Sequence, residues 1–444
     1  MQFAPHLRAL ALLTSVALLP ATTAGYAQVD SRISPEFAKF FGVYQRIKAD
    51  YVEPVDDHTL IKGAIDGMLA ALDPHSDYLE GASYERLTTM IDGNYQGLGI
   101  SVQMDEGAVK VVSPFKGSPA EQAGIKAGDY ITHVNGKLIY GTDIDDAVEE
   151  MRGPAGTSVR LSIVREGRDE PFDVTVRRGV IELQPVTSDL KDGNIGYISV
   201  NEFSKDVGKD VLAAVKTVRA KAGGRLAGIV LDLRSNPGGS LDEAVALSDL
   251  FLTQGQIVSQ RGRNREDTIY YDAESVYPGD VAAGTPIIVL IDEGTASASE
   301  IVAGALQDQH RALIMGQRSF GKGSVQSLLP LSKDSALKLT TARYYTPSGR
   351  SVQEGGIMPD IKVPQLSDPD EALKAKYLYR ESDLKRHLVN EAALKDNDLE
   401  SDTAKDPRFT ETAEQLKKQG IDDFQLHYAV ETLERTAHIQ TAQR

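Results

Sequence analysis

Cysteine and tryptophan are both absent from the 444-residue chain. Without a thiol there is no disulfide, no zinc–thiolate centre and no cysteine nucleophile. A surplus of positive charge is absent too: 64 acidic residues stand against 48 basic ones, a net charge of −16. That balance argues against non-specific binding to nucleic acid, and it limits any membrane contact to a peripheral one. No apolar run is long enough for a comfortable membrane span; the longest, over 9–19, falls short. Histidine is scarce at eight residues, and only His75, in Leu-Asp-Pro-His-Ser76, and His310 merit consideration as a catalytic base. Each reads more simply as a capping or packing histidine. Internal repeats and low-complexity blocks are missing.

What is present is the composition of a folded protein, 41% hydrophobic and 25% charged. The first residues read as an export signal: His6 and Arg8 form a weak polar start, 9–19 the apolar segment, and Gly25-Tyr26-Ala27 offers small residues for cleavage after Ala27. The expectation is an exported, periplasmic protein whose fold rests on packing alone; an uncleaved N-terminal membrane anchor is the alternative.

Residues 28–94 follow. Phe37, Phe40, Phe41, Tyr44 and Ile47 recur at helical spacing, as do Leu60, Ile61, Ala64, Ile65, Met68 and Leu69, and both stripes read as core. Residues 95–180 switch to short Gly- and Val-rich strands with two short helices between them. Residues 181–365 alternate strand and helix, with a nearly continuous apolar run over 226–233 of the kind buried on both faces of a sheet. That pattern predicts a layered α/β domain. Two of its strand-to-helix turns are unusual: Asn236-Pro-Gly-Gly239 and Glu293-Gly-Thr-Ala-Ser297. Residues 366–444 are charged and helix-prone over 371–379, 382–393, 410–419 and 424–435, with a polar, flexible link over 396–407. The helical ends of the chain suit self-association or an adaptor protein, although for charged helices a solvated surface is the plainer reading.

In 285–326 a serine sits where a strand hands over to a helix, and a lysine between two glycines sits where the next strand ends. Ser297 lacks a Gly-x-Ser-x-Gly elbow, since Thr295 stands two positions before it, so a Ser–His–Asp hydrolase is disfavoured. Lysine replaces histidine as a base when burial strips hydration from its charged form. If a strand follows Lys322, then Lys322, Ser324 and Gln326 share a face, and Gln326 holds the amine. Backbone N–H groups of Ala298, at the helix start, and of the Gly238-Gly239 turn are candidate oxyanion donors. Against this, Ser297-x-x-Glu300 is also a capping box, Ser299 lies two residues away, and Gly-Lys-Gly is also an ordinary turn.

Two resemblances bear on these readings. The segments Tyr95-Gln-Gly-Leu-Gly-Ile100, Gly117-Ser-Pro-Ala-Glu-Gln-Ala-Gly124 and Gly128-Asp129 through Asn135-Gly136 resemble a PDZ domain. That resemblance implies a groove at Gly97, Leu98, Gly99 and Ile100 that takes a terminal carboxylate and adds the peptide as a strand. With Tyr51-Val52, Leu72-Asp-Pro-His-Ser76, Leu231-Asp-Leu-Arg-Ser-Asn-Pro-Gly-Gly239, Gly294-Thr-Ala-Ser-Ala-Ser-Glu-Ile301 and Gly321-Lys-Gly323, the chain over about 40–364 resembles the carboxy-terminal processing proteases. The resemblance implies a core of the ClpP/crotonase-like kind with an inserted PDZ domain, no cofactor and no metal. It also implies Ser297 as nucleophile, Lys322 as base and Gln326 in support. Asp308 matches an acidic position of the family, and Arg152, late in the PDZ segment, is expected to bridge to the core. Substrates would be proteins or peptides with accessible C-termini. A catalytically silent PDZ scaffold that binds such tails is the alternative, and a cofactor-free acyl-transfer enzyme or hydratase of similar fold a weaker one.

Overall fold

The computed structural model describes residues 34–442 apart from 106, 116, 142–143, 169, 183, 274–278, 369–379 and 393–406. The predicted signal over 1–27, the predicted helix over 371–379 and all but the last residue of the polar link over 396–407 lie outside the described residues. The chain divides into two compact units, Met1–Ile65 and Asp66–Arg444. In the first, Ser34 caps the helix Pro35–Asp50 by accepting the Phe37 N–H at 3.2 Å, with proline at the first helical position. This helix buries none of its residues. Phe37, Phe40 and Phe41, expected as core, are exposed, with no buried partner among the described residues of this unit. No helix among the described residues is long and apolar enough to cross a membrane.

The second unit is built on a six-stranded sheet. Val186–Lys191 pairs antiparallel with Ile195–Val200; then Gly228–Asp232, Ile287–Ile291, Leu313–Gly316 and Ile361–Lys362 follow in parallel. The period of two sends alternate side chains to opposite faces, and here both faces are covered. Ile229, Leu231, Ile287 and Val289 pack with residues of the helices Val207–Lys221, Leu241–Asp249 and Ala298–Asp308. Val230, Ile288, Leu290 and Met315 pack on the other side against Leu416, Phe424, Ala429 and Leu433 of the C-terminal helices Ala413–Lys418 and Phe424–Ala442. The result is a three-layer α/β/α core whose outer layer comes from the charged tail. The helix predicted over 382–393 does not form. Glu381–Asp383 makes one short 3-10 turn, and the chain to 392 is irregular, its side chains engaged with the core instead.

A second, five-stranded sheet contains the hairpin Ser324–Pro330 and Ser335–Tyr345, with Asp77–Glu80, Gln256–Gly262 and Thr268–Asp272. The small domain is a β-sheet of Ile100–Asp105, Ala108–Pro114, Tyr130–Val134, Ser158–Val164 and Phe172–Arg177, with Lys137–Leu138 beside it and the helices Pro119–Gln122 and Ile144–Met151. Val109, Val111, Ile131, Leu161, Ile163 and Val176 form its core. The chain enters and leaves this domain through a two-stranded ribbon, Asn94–Gly97 against Gly179–Glu182.

Candidate active site

The turns after the strands Gly228–Asp232 and Ile287–Ile291 are bonded to each other before any functional group is placed. Asp292 Oδ1 accepts the N–H groups of Ser235 at 2.7 Å and Gly294 at 3.0 Å, and Thr295 Oγ1 donates to the Leu233 carbonyl at 2.8 Å. Asn236, fully buried, donates from Nδ2 to Val200 O at 2.8 Å, and its own carbonyl accepts the Ala296 N–H and the Ser299 hydroxyl. Ser299 is thereby committed to structure, while Ser297 stays half-buried at the helix start. Ser297 has φ 55° and ψ −115°, a conformation that costs an L-residue ~1–3 kcal/mol and must be held by its surroundings. Part of that hold is the cap on the helix: the Glu300 carboxylate accepts the Ser297 N–H at 2.7 Å.

Gly238 lies directly against this serine. A Cβ at Gly238 would fall 2.8 Å from Ser297 Cβ and 2.9 Å from Ala298 N, and one at Gly239 would strike Phe203 O at 2.4 Å. The Gly238 N–H donates to Asn236 Oδ1 at 2.9 Å. Of the three backbone donors expected from the sequence, those of Gly239 and Ala298 have no acceptor among the described residues.

The lysine loop, 318–323, is tied to the serine helix by Glu300. Besides the Ser297 N–H, this fully buried carboxylate accepts the Ser319 hydroxyl at 2.6 Å, Gly321 N–H at 2.7 Å and Lys322 N–H at 3.0 Å. Burial pushes it up to about 7 even against these four donors. The buried Tyr344 hydroxyl sits 3.1 Å from the Ser297 carbonyl and also donates to that of Lys322, a second link between the two segments. Lys322 Nζ donates to Gln326 Oε1 at 2.6 Å and makes no hydrogen bond to Ser297 in this structure. Burial pushes the Lys322 ammonium down to about 8, against the opposing pull of Glu381 and Glu300. Gln326 is oriented in turn: its Nε2 donates to Ser324 Oγ and to Thr340 Oγ1, and Thr340 Oγ1 donates to Asp73 Oδ1 at 3.0 Å. Asp73 belongs to the Leu-Asp-Pro-His-Ser76 motif, which thereby reaches the lysine through two side chains.

His75 pairs with Glu381, and His310 is exposed at the far end of the serine helix. Asp308 lies eleven residues beyond Ser297, about 16 Å along the helix. Burial raises its carboxyl, but bonds from Thr346 and Ser348 and the Arg350 charge outweigh it and hold the group low. It ties down 346–350 and does not meet the dyad.

In the small domain, Gly97, Leu98, Gly99, Ile100, Val102, Val148, Met151 and Arg152 line one groove. Gly99 has φ 72°, and a Cβ there would fall 2.5 Å from Ser118 Cβ, so the loop demands glycine. Ile100–Asp105 is an edge strand, open on the groove side to an added strand. Arg152 is one of the groove's lining residues, and no hydrogen bond or ion pair joins its side chain to the core among the described residues.

Comparison with known proteins gives this geometry a family. Residues 194–363 match the model of peptidase family S41, 110–165 a PDZ domain, and 17–83 the N-terminal domain of the activating protease CtpB. The chain is 46% identical over 354 residues to a carboxy-terminal-processing protease of Bartonella bacilliformis, covering 80% of each. The chain belongs to the S41 family of carboxy-terminal processing proteases. The peptidase is also 36% identical to the carboxy-terminal processing protease CtpA of Bacillus subtilis, over 74% of this chain and 69% of that one. Among solved structures, the photosystem II D1 C-terminal processing protease is similar at 30% identity and a TM-score of 0.45, over 79% of this chain and 93% of that one. The family makes this a serine-type peptidase of α/β fold with a PDZ domain.

Sequence reasoning assigned Glu300 only a cap and left Asp73, Thr340, Tyr344, Gln353 and Glu381 without a task. The signal for Asp73 was the Leu-Asp-Pro-His-Ser76 motif itself. Glu381, 59 residues after Lys322 in a charged tail, carried none.

Proposed function

We propose that this peptidase captures the free C-terminal end of an unfolded or apolar protein tail in the groove at Gly97–Ile100 and cleaves that chain through an acyl-enzyme on Ser297. Neutral Lys322 takes the hydroxyl proton as Ser297 Oγ attacks the scissile carbonyl, and returns it to the leaving amine. The Gly239 and Ala298 N–H groups stabilise the oxyanion, at the end of a helix whose dipole favours negative charge. Water then hydrolyses the ester, with Lys322 again as base. The observation that carries this reading is a lysine pushed by burial towards neutrality, fixed by one amide oxygen, on a loop that Glu300 ties to the serine. Export to the periplasm, and association through the exposed N-terminal helix with a second copy or an adaptor protein, belong to the same reading.

The test is incubation of an unfolded protein such as casein with the wild type, Ser297→Ala and Lys322→Met, with mass spectrometry of the products. Both variants should lose cleavage by at least ~10³-fold. Wild-type cleavage should rise with pH as Lys322 deprotonates. Unimpaired cleavage by either variant would remove the dyad. The second reading, a silent scaffold that binds tails, draws on the missing Ser297–Lys322 hydrogen bond, a contact that in enzymes often forms only with substrate bound. It predicts tail binding with no cleavage products from the wild type.

A further inference from the structure

The lysine loop is held from two sides. Glu300 grips it from the serine helix. On its other side lie residues 380–381, from a part of the chain beyond the match to the peptidase family model. Arg380, buried, donates from Nη1 to the carbonyls of Ser319 at 2.9 Å and Arg318 at 3.3 Å, and the Glu381 N–H donates to Phe320 O at 3.4 Å. Glu381 is fully buried. Its carboxylate has His75 Nε2 within 2.9 and 3.0 Å of its two oxygens and accepts Gln353 Nε2 at 2.9 Å. Gln353 Oε1 in turn accepts the Gly323 N–H at 3.0 Å, next to the lysine. Asn390 Nδ2 bonds the Gln353 carbonyl, and His387 bonds Glu354, so the whole segment seats on the loop's supports.

We propose that the C-terminal segment around 380–390 is part of the dyad's support, with Glu381 a positioning residue that fixes the Lys322 loop through Gln353 and keeps a buried negative charge behind that loop. This rests on Lys322 being the base. A buried carboxylate without such a task would be a costly feature so close to a lysine that must lose its proton. The other charges around the amine are those of Glu300 on the serine helix, Asp73 on the 71–76 turn and Lys338 on the hairpin, with His75, His387 and the adjacent Arg380 near Glu381 itself. Glu381 favours the ammonium more than any other of these, opposing the burial that favours the amine. It therefore tunes the pH at which Lys322 becomes a base.

The experiment is the pH profile of kcat for the full-length peptidase on an unstructured fluorogenic peptide, with Glu381→Gln and Glu381→Asp. Removing the charge should move the rising limb to lower pH by about one unit. Glu381→Asp keeps the charge but shortens the reach, so its limb should stay at the wild-type position while kcat falls several-fold. A limb unmoved in Glu381→Gln overturns the proposal. If Glu381→Gln does not reach the native circular dichroism signal, Glu381→Asp decides: a limb that shifts, or an unchanged kcat, overturns it. Lys322→Met is run in parallel. Activity in that variant removes the dyad itself, whereas an inactive Lys322→Met with an unmoved Glu381→Gln limb removes only the role of Glu381.

Discussion

Lys322 and Glu300 are buried against their charges in opposite senses, and stability should record both. For Lys322, burial lowers the folded value from 10.5 to about 8. Between these values the unfolded chain binds more protons, so stability rises with pH there, and the full penalty stands below about pH 8. Two and a half units correspond to about 3 kcal/mol. For Glu300, burial raises the folded value from 4.5 to about 7, so the folded chain binds more protons in that window and stability falls as pH rises through it. Urea unfolding should therefore find Lys322→Met more stable than the wild type by up to about 3 kcal/mol at pH 7.5, with the gain vanishing above pH 10.5. A constant difference across that range would mean the lysine is not buried as a charge. The places of Ser297 at a helix start, of Lys322 between two glycines and of Gln326 beside the amine were legible as local patterns, whereas the roles proposed for them came from the family resemblance. The Glu300 hub was half legible, since a capping box shows its contact with Ser297 but nothing local shows that the same carboxylate reaches 319, 321 and 322.

At the scale of elements, the buried strands and the helix over 207–221 were legible from continuous apolar runs and helical spacing, because each carries its burial in its own residues. The C-terminal helices were legible as helices over 410–419 and 424–435, but their burial was not. Leu416, Phe424, Ala429 and Leu433 are buried, yet they are spread thinly among charged residues, so the tail reads as a solvated surface. What fixes it is tertiary. Leu433 meets the sheet at Gly228, where a Cβ would lie 2.9 Å from its methyl groups. Asp423 and Asp232 share Arg234, which donates to them at 2.7 and 2.6 Å just before the 236–239 turn. The helix therefore both covers a sheet face and braces the strand that carries the glycine turn. Leu433→Ala should cost ~2–4 kcal/mol in urea unfolding. A cost below about 0.5 kcal/mol would mean the tail is only laid on the surface. The strand after Lys322 was expected to put Lys322, Ser324 and Gln326 on one face, and Gln326 bonds both the lysine amine and the Ser324 hydroxyl; the register shift between Val325 and Gln326 leaves its extra residue on the partner strand.

At the scale of the whole molecule, capture and cleavage are two operations built from one chain. The PDZ segment was legible from its glycine turns, which are demanded by backbone geometry, and the paired ribbon strands 94–97 and 179–182 bring its two ends together. A tail held in the groove is presented to the core at an effective concentration set by the tether, not by the bulk solution. Blocking the groove should then act on substrate capture and spare the chemistry. Val148→Arg places a long side chain into the groove wall opposite Ile100 without touching Ser297 or Lys322. For an unfolded protein with a free, apolar C-terminus, KM should rise ~10- to 100-fold with kcat within about two-fold. For the same chain with an amidated C-terminus, which already lacks the carboxylate, wild type and variant should converge. If instead kcat falls and KM stays level for both substrates, the groove does not serve as an independent receptor, and tail capture would have to be assigned to the core itself.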